Sequence, residues 1–258
     1  MSIDFALDAD GIALVTINRP ERMNALDHQA YADLSQAWQR VRDDHAVRVA
    51  IVTGAGEKSF CAGADLKSFV GAPPGFEDMW LTQKDQLLNR GLEVWKPVIA
   101  AVNGYCLGGG VTLLLGTDLR VAAEHATFNL AEVKRGVIPG NGGTQRILQQ
   151  LPYAIAMEML LTGDAIDAAT AARWGLVNKV VPQAKLLDEA YALARRVAAN
   201  APLAVRAIKR MMRAAETETF DQNVHHVFLQ LLPLLRTDDF REGVAAYMEK
   251  RPPKFTGK

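Results

Sequence analysis

Phe60-Cys61-Ala62-Gly63-Ala64-Asp65-Leu66-Lys67 and Asn103-Gly104-Tyr105-Cys106-Leu107-Gly108-Gly109-Gly110 are the two stretches that decide how this chain is read. Each follows a strand-like apolar run and opens a helix, so each leaves first-turn backbone N–H groups without an intrahelical acceptor. Brought together, two such turns aim free N–H groups at one developing negative charge, which is an oxyanion hole. Either turn alone is an ordinary strand-to-helix connection; the meaning lies in the pair.

Working outward, Ile3, Phe5 and Leu7 alternate with other residues up to Asp10-Gly11, a hairpin turn signal, and 12–17 reads as the returning strand. Asp27 is placed to cap a helix whose apolar positions Ala30, Tyr31, Leu34, Ala37, Trp38 and Val41 fall at helical spacing. A strand is expected over 47–53, a helix over 64–70, a loop over 71–75, and a second helical stretch over 76–95, ended by Pro97. The runs 98–102 and 119–123 read as strands buried on both faces. Repeated strand-turn-helix units after a hairpin predict an α/β fold. From Leu186 onward the pattern is helical, with segments starting near Leu186, Pro202, Phe220 and Asp238. The chain thus divides into a core over 1–185 and a helical region over 186–258. The apolar faces of that region serve packing within the chain or against another subunit equally well.

The 258 residues are 49% hydrophobic, enough for a sizeable core. Twenty-nine basic and 29 acidic residues cancel, so no global field favours nucleic acid or an anionic membrane. Cys61 and Cys106 are too few for a disulfide framework or a zinc site. His225 and His226 are adjacent, face different sides of a helix and have no clear third ligand, so no metal is expected. Gly54-Ala55-Gly56-Glu57-Lys58-Ser59 lacks the third glycine of a dinucleotide turn, and neither a Gly-Lys-Ser/Thr phosphate loop nor a G-x-S-x-G elbow occurs. With neither a secretory leader pattern nor a long apolar span, a cytoplasmic location is expected.

The two glycine-rich stretches resemble the paired signature of the crotonase family, the enoyl-CoA hydratases and isomerases. The likeness continues through Ala126-Thr127-Phe128-Asn129-Leu130-Ala131-Glu132 and Gly136-Val137-Ile138-Pro139-Gly140-Asn141-Gly142-Gly143-Thr144-Gln145-Arg146. It implies a spiral of ββα turns, C-terminal helices that assemble a homotrimer or hexamer, and an acyl-CoA thioester as substrate. No cofactor is implied, because coenzyme A is part of that substrate. By family position, Ala64 and Gly109 supply the oxyanion N–H groups and Glu132 is the general acid/base. Ala25, Ala62, Ala64, Asp65, Leu66, Lys67, Gly109 and Gly140 are placed at the substrate, and 69–92 at the acyl group. The tail Lys250-Arg251-Pro252-Pro253-Lys254-Phe255 is either a cation and ring for a neighbour's nucleotide or a solvated, partly disordered end.

Thr112 departs from the pattern, standing where family hydratases carry their first catalytic glutamate. A lone carboxylate suffices to move a proton between alpha and gamma carbons, so double-bond isomerisation is slightly favoured on mechanism. Hydration of a 2-enoyl-CoA, with Thr112 orienting water, is the alternative, as is a C–C hydrolase or dehalogenase on the same oxyanion hole. A silent acyl-CoA carrier or an RNA binder is the reading outside enzymes; zero net charge and a retained Glu132 speak against both.

Overall fold

Ile3–Leu7 (β1) and Ile12–Ile17 (β2) pair antiparallel as the expected hairpin. The Asp8 carboxylate closes it by accepting the N–H groups of Asp10 and Ile12 at 3.0 and 2.8 Å. The computed structural model from which these contacts come describes residues 2–71 and 86–258. Helix α1, His28–Asp43, begins where the Asp27 side chain accepts the Ala30 N–H at 2.9 Å, and it buries Ala30, Leu34, Ala37, Trp38 and Val41.

Three successive turns of one pattern follow. Val49–Gly54 (β3) and Ser59–Cys61 (β4) lead to α2, Leu66–Gly71; Val98–Val102 (β5) and Tyr105–Leu107 (β6) lead to α3, Gly109–Leu115. Leu119–Ala123 (β7) and Thr127–Asn129 (β8) lead to a 3-10 turn over Ala131–Arg135. The first strand of each turn joins one sheet and the second joins another. After Gly143–Gln150 (α4) and Tyr153–Thr162 (α5), the strand pair Ile166–Asp167 (β9) and Lys179–Val181 (β10) flanks α6, Ala168–Arg173. The larger sheet then has the order β1-β2-β3-β5-β7-β10 and the smaller one β4-β6-β8-β9. Beyond the β1–β2 hairpin the larger sheet is parallel, as are β4-β6-β8. This is an α/β fold with the spiral of ββα turns that the resemblance implies.

Strand periodicity divides the core between the two faces of the larger sheet. Ala50, Val52, Ala100 and Val102 face α1 and the smaller sheet, with Leu34, Trp38 and Phe60. Val49, Ile51, Ile99 and Ala101 face the other way, against Leu186, Ala190, Ala194 and Ala198 of α7, Leu186–Ala198. Each fully buried side chain of this kind contributes roughly 1.5–3 kcal/mol. Asn103 locks two turns of the spiral together: its Nδ2 donates to the carbonyls of Gly54 and Gly56 at 2.9 and 2.6 Å, and its Oδ1 accepts the Gly54 N–H at 3.1 Å.

Helices α8 (Pro202–Ala214), α9 (Phe220–Leu234) and α10 (Asp238–Glu249) start as expected. The tail is exposed at Pro252, Pro253 and Lys254 but tied down beyond them. Asp239, 3% exposed, accepts the N–H groups of Thr256 and Gly257 at 2.6 and 2.8 Å, and Arg48 donates to the Phe255 carbonyl at 2.6 Å. The tail's ring and backbone are thereby held against their own chain.

The helix expected over 76–95 is corrected in its described part. Leu87 and Arg90 exchange backbone hydrogen bonds at 2.8 and 2.9 Å in a tight turn, and 91–95 runs on without helix. Leu92 and Val94 are both buried, an alternation that belongs to extended chain. Residues 72–75 of the expected loop, 76–85 of the expected helix and most of the stretch assigned to the acyl group lie outside the described residues. Among those described, no helix is long and apolar enough to cross a membrane.

Candidate active site

Ala64, Gly109 and Glu132 occupy the same point in three successive turns, just beyond the C-terminal ends of β4, β6 and β8. Those strands are parallel neighbours, so the three residues emerge side by side at one end of the smaller sheet.

The glycine content follows from how close the turns approach. A Cβ on Gly63 would stand 2.7 Å from the Gly109 nitrogen; one on Gly109 would stand 3.2 Å from Gly63 Cα and 3.5 Å from the Ala64 nitrogen. One on Gly110 would stand 2.1 Å from the Cys61 carbonyl oxygen, inside contact distance, so the start of α3 seats on β4 only without a side chain. The Leu26 N–H donates to the Gly63 carbonyl at 2.8 Å, and the Leu26 carbonyl accepts the Asp65 N–H at 2.9 Å. In such an extended bridge the intervening Ala64 N–H points away from Leu26. Gly109 is the first residue of α3, so its N–H has no intrahelical acceptor.

These donors face a cavity of about 150 Å³, which Ala64, Gly109, Thr112, Glu132 and Gly140 all line. The structure therefore brings these five expected residues to one place. Leu26, Leu34, Leu87 and Leu113 supply its apolar wall, and Tyr31, Asn89 and Asn141 further polar groups. Ala25, Ala62, Asp65, Leu66 and Lys67 do not line it. They lie along the loop beside it, with Ala62 N–H donating to the Met23 carbonyl at 3.1 Å and Lys67 N–H to Asp65 Oδ1 at 3.1 Å. Leu66 and Lys67 are exposed.

Glu132 sits in the 3-10 turn with its Oε2 buried and, among the described residues, without a hydrogen-bond partner. Burial raises its pKa above the ordinary carboxylate value, partly offset by its own backbone N–H and by Arg135. Thr112, 3% exposed, projects from α3 toward Gly143, with its Oγ1 2.8 Å from where a Cβ on that glycine would stand. Among the described residues, Glu132 is the only acidic one lining the cavity.

Sequence reasoning assigned Tyr31 to an apolar helix face, placed Asn89 only within the 69–92 stretch at the acyl group, and gave Asn141 no role of its own. Burial raises the Tyr31 pKa, more than the nearby Arg90 lowers it, so the phenol remains a hydrogen-bond donor. The left-handed backbone of Asn141, φ 54°, within Pro139-Gly140-Asn141-Gly142, is the signal that could have marked it. Cys61 and Cys106 are register partners on β4 and β6, and both are buried. Burial pushes the Cys61 thiol up to about 12 and Cys106 well above its ordinary value, so neither is a ready nucleophile. Among the described residues, no three His, Cys, Asp or Glu side chains are grouped to hold a metal.

Residues 8–258 match the enoyl-CoA hydratase/isomerase family. The chain is 44% identical to (E)-benzylidenesuccinyl-CoA hydratase of Thauera aromatica over 95% of this chain and 96% of that one. It is 42% identical to enoyl-CoA hydratase EchA19 of Mycobacterium tuberculosis, over 94% and 92%. The crystal structure of enoyl-CoA hydratase EchA1 from Mycobacterium marinum superimposes with a TM-score of 0.89 at 39% identity, covering 100% of this chain and 99% of that one. Full-length likeness in both sequence and fold agrees with the oxyanion geometry, and the chain is an enzyme of the enoyl-CoA hydratase/isomerase, or crotonase, family.

Proposed function

We propose that the enzyme adds water reversibly across the 2,3 double bond of a 2-enoyl-CoA thioester. The observation that carries this reading is the unpartnered, buried Glu132 oxygen facing the same cavity as Ala64 and Gly109. In the proposed reaction the thioester oxygen accepts the Ala64 and Gly109 N–H groups, the second at a helix start whose dipole adds about half a positive charge. Water attacks C3, the double-bond electrons move toward the thioester oxygen, and the resulting enolate takes a proton at C2. Glu132 accepts a proton from the attacking water and delivers one to C2, so one carboxylate completes the cycle unchanged. The Thr112 hydroxyl holds the water in place of a second carboxylate. The hydratase names of two relatives above 40% identity support this direction.

Isomerisation of a 3-enoyl-CoA is the second reading, favoured by the single carboxylate that lines the cavity among the described residues. Glu132 would then carry a proton from C2 to C4, with the same two N–H groups holding the dienolate. Loss of the conjugated enoyl-thioester absorbance reports hydration and its appearance reports isomerisation, on acyl chains of matched length. Isomerisation without hydration on any chain would replace the first reading by the second.

The same proposal includes a homotrimer or hexamer. Helix α9 buries none of its residues although Phe220, Phe228, Leu229 and Leu232 lie along it, and Ile208 and Met212 of α8 are also exposed. So much apolar surface on one region marks an assembly face.

A further inference from the structure

A second cavity, of about 340 Å³, adjoins the first at Asn89, and Arg90, Arg146 and Arg213 line it. Arg90 Nη1 donates to Asn141 Oδ1 at 3.1 Å, and Arg146 Nη1 to the Asn89 carbonyl at 2.9 Å. Both guanidinium groups are therefore tied to the two asparagines of the active-site wall. Their Nε–H groups are buried, and among the described residues neither has an acceptor. The other cations on this wall are compensated: Arg213 pairs with Glu216 at 3.1 Å and Lys209 with Asp118 at 2.7 Å. Glu93 lines the cavity as well but is exposed, and among the described residues it pairs with neither Arg90 nor Arg146.

Burial, and after it the neighbouring Arg213, lowers the Arg146 pKa, partly offset by the Glu216 carboxylate, which lines the same cavity. Two cations, each with an orphaned buried donor and, among the described residues, neither in an ion pair, are what a carboxylate satisfies, because guanidinium N–H groups match carboxylate geometry in pairs. Glu216, the acid whose charge acts on Arg146, is already paired with Arg213. Asn89 lines both cavities, so the second one lies directly behind the wall of the first.

We propose that Arg90 and Arg146 form a subsite for a carboxylate at the far end of the acyl group, so that CoA thioesters of dicarboxylic acyl chains are preferred. This rests on the acyl-CoA reading above. It makes Arg90 and Arg146 determinants of specificity, distinct from the groups that move protons.

The test uses saturated thioesters, which bind without reacting: glutaryl- against pentanoyl-CoA, adipoyl- against hexanoyl-CoA, and suberoyl- against octanoyl-CoA, titrated calorimetrically into the full-length protein. For at least one pair, the carboxylate member should bind about tenfold tighter or more, as a charge-assisted hydrogen-bond pair provides. Arg90→Gln and Arg146→Gln should each collapse that ratio, and Arg90→Lys should retain part of it. If a glutamine variant does not fold, the parent's ratio and its partial retention in Arg90→Lys decide. Equal loss of affinity for both members of every pair would assign the arginines to bracing Asn89 and Asn141, and would overturn the subsite. Millimolar binding of free adipate without any preference between paired thioesters would assign them to a free anion and overturn it too. Thioester binding with no carboxylate preference overturns this proposal alone, whereas absence of all thioester binding overturns the acyl-CoA reading with it.

Discussion

A Cβ on Gly108 would stand 3.3 Å from Oε1 of Glu132. The residue that turns the chain into α3 is therefore also the floor under the carboxylate. Gly108 has φ 52° and ψ −116°, a backbone geometry unfavourable to a side chain, and its N–H donates to the Asn129 carbonyl at 2.8 Å, just upstream of Glu132. One glycine thus connects the Gly109 turn to the Glu132 turn.

Gly108→Ala should act on chemistry as well as on stability. This positive-φ conformation, outside the left-handed helical well, costs on the order of 1–3 kcal/mol for a residue with a Cβ, and the methyl crowds the carboxylate. Turnover on the best enoyl-CoA should fall by about tenfold or more while CoA affinity, measured with a saturated thioester, changes far less. A stable variant with parental turnover would show that Glu132 does not depend on this contact.

Glu132→Gln should lose turnover by roughly 10²–10⁴-fold, the usual share of a general acid/base. It should also be more stable than the parent at neutral pH. Because burial raises the carboxyl pKa, the native state holds the proton more firmly than the unfolded chain. Between the unfolded and the raised native value, parental stability therefore falls as pH increases, and the loss persists above that window. The difference in melting temperature between variant and parent should shrink as pH drops below the ordinary carboxylate range. In the parent, kcat/KM should decline as pH falls through the raised value, because the base must be ionised. A melting-temperature difference of opposite sign at neutral pH would mean that partners hold the Glu132 carboxylate in its charged form.

Much of the fold was legible because its punctuation is local. Asp10-Gly11, Asp27, the apolar runs 98–102 and 119–123, and Pro202 each announce a turn, a cap, a strand or a helix start without reference to the rest of the chain. Ala64, Gly109 and Glu132 were legible as motif positions, but their convergence follows from β4, β6 and β8 being neighbours, a long-range fact that no window of sequence contains. Tyr31 was hidden by its own regularity: helical spacing put it on the core face of α1, and that face runs on beneath the oxyanion turn, where its hydroxyl lies 3.5 Å from the position of a Gly109 Cβ. Arg90 was hidden differently. Its position depends on the Leu87–Arg90 turn, where helical periodicity had been expected.

Assembly should depend on α9. Ending the chain before Phe220 removes a helix none of whose residues is fully buried within its own subunit, together with α10 and the tail that Asp239 and Arg48 hold in place. The parent should sediment as a trimer or hexamer, and the shortened chain should fail to assemble. A parent that is monomeric and active at micromolar concentration would remove the assembly role from this surface.

On the proposed mechanism, Thr112 is where hydration and isomerisation separate. Its side chain is 3% exposed, and it is wedged between the cavity and Gly143. Thr112→Val keeps that shape and removes only the hydroxyl, so packing against Gly143 is retained. If the hydroxyl holds the attacking water, hydration should fall by about tenfold, the worth of one hydrogen bond made in the transition state. Isomerisation of a 3-enoyl-CoA of the same length, which uses no water, should fall much less. Thr112→Glu works in the opposite sense: a second carboxylate beside Glu132 raises one of the two pKa values through like-charge repulsion and supplies a protonated donor. The ratio of hydration to isomerisation should therefore rise in Thr112→Glu and drop in Thr112→Val. Parallel loss of both activities in Thr112→Val would mean that Thr112 positions Glu132 or the α3 backbone, and that the water is held by another group, of which the Tyr31 phenol and the Asn141 amide are the nearest candidates on the cavity wall.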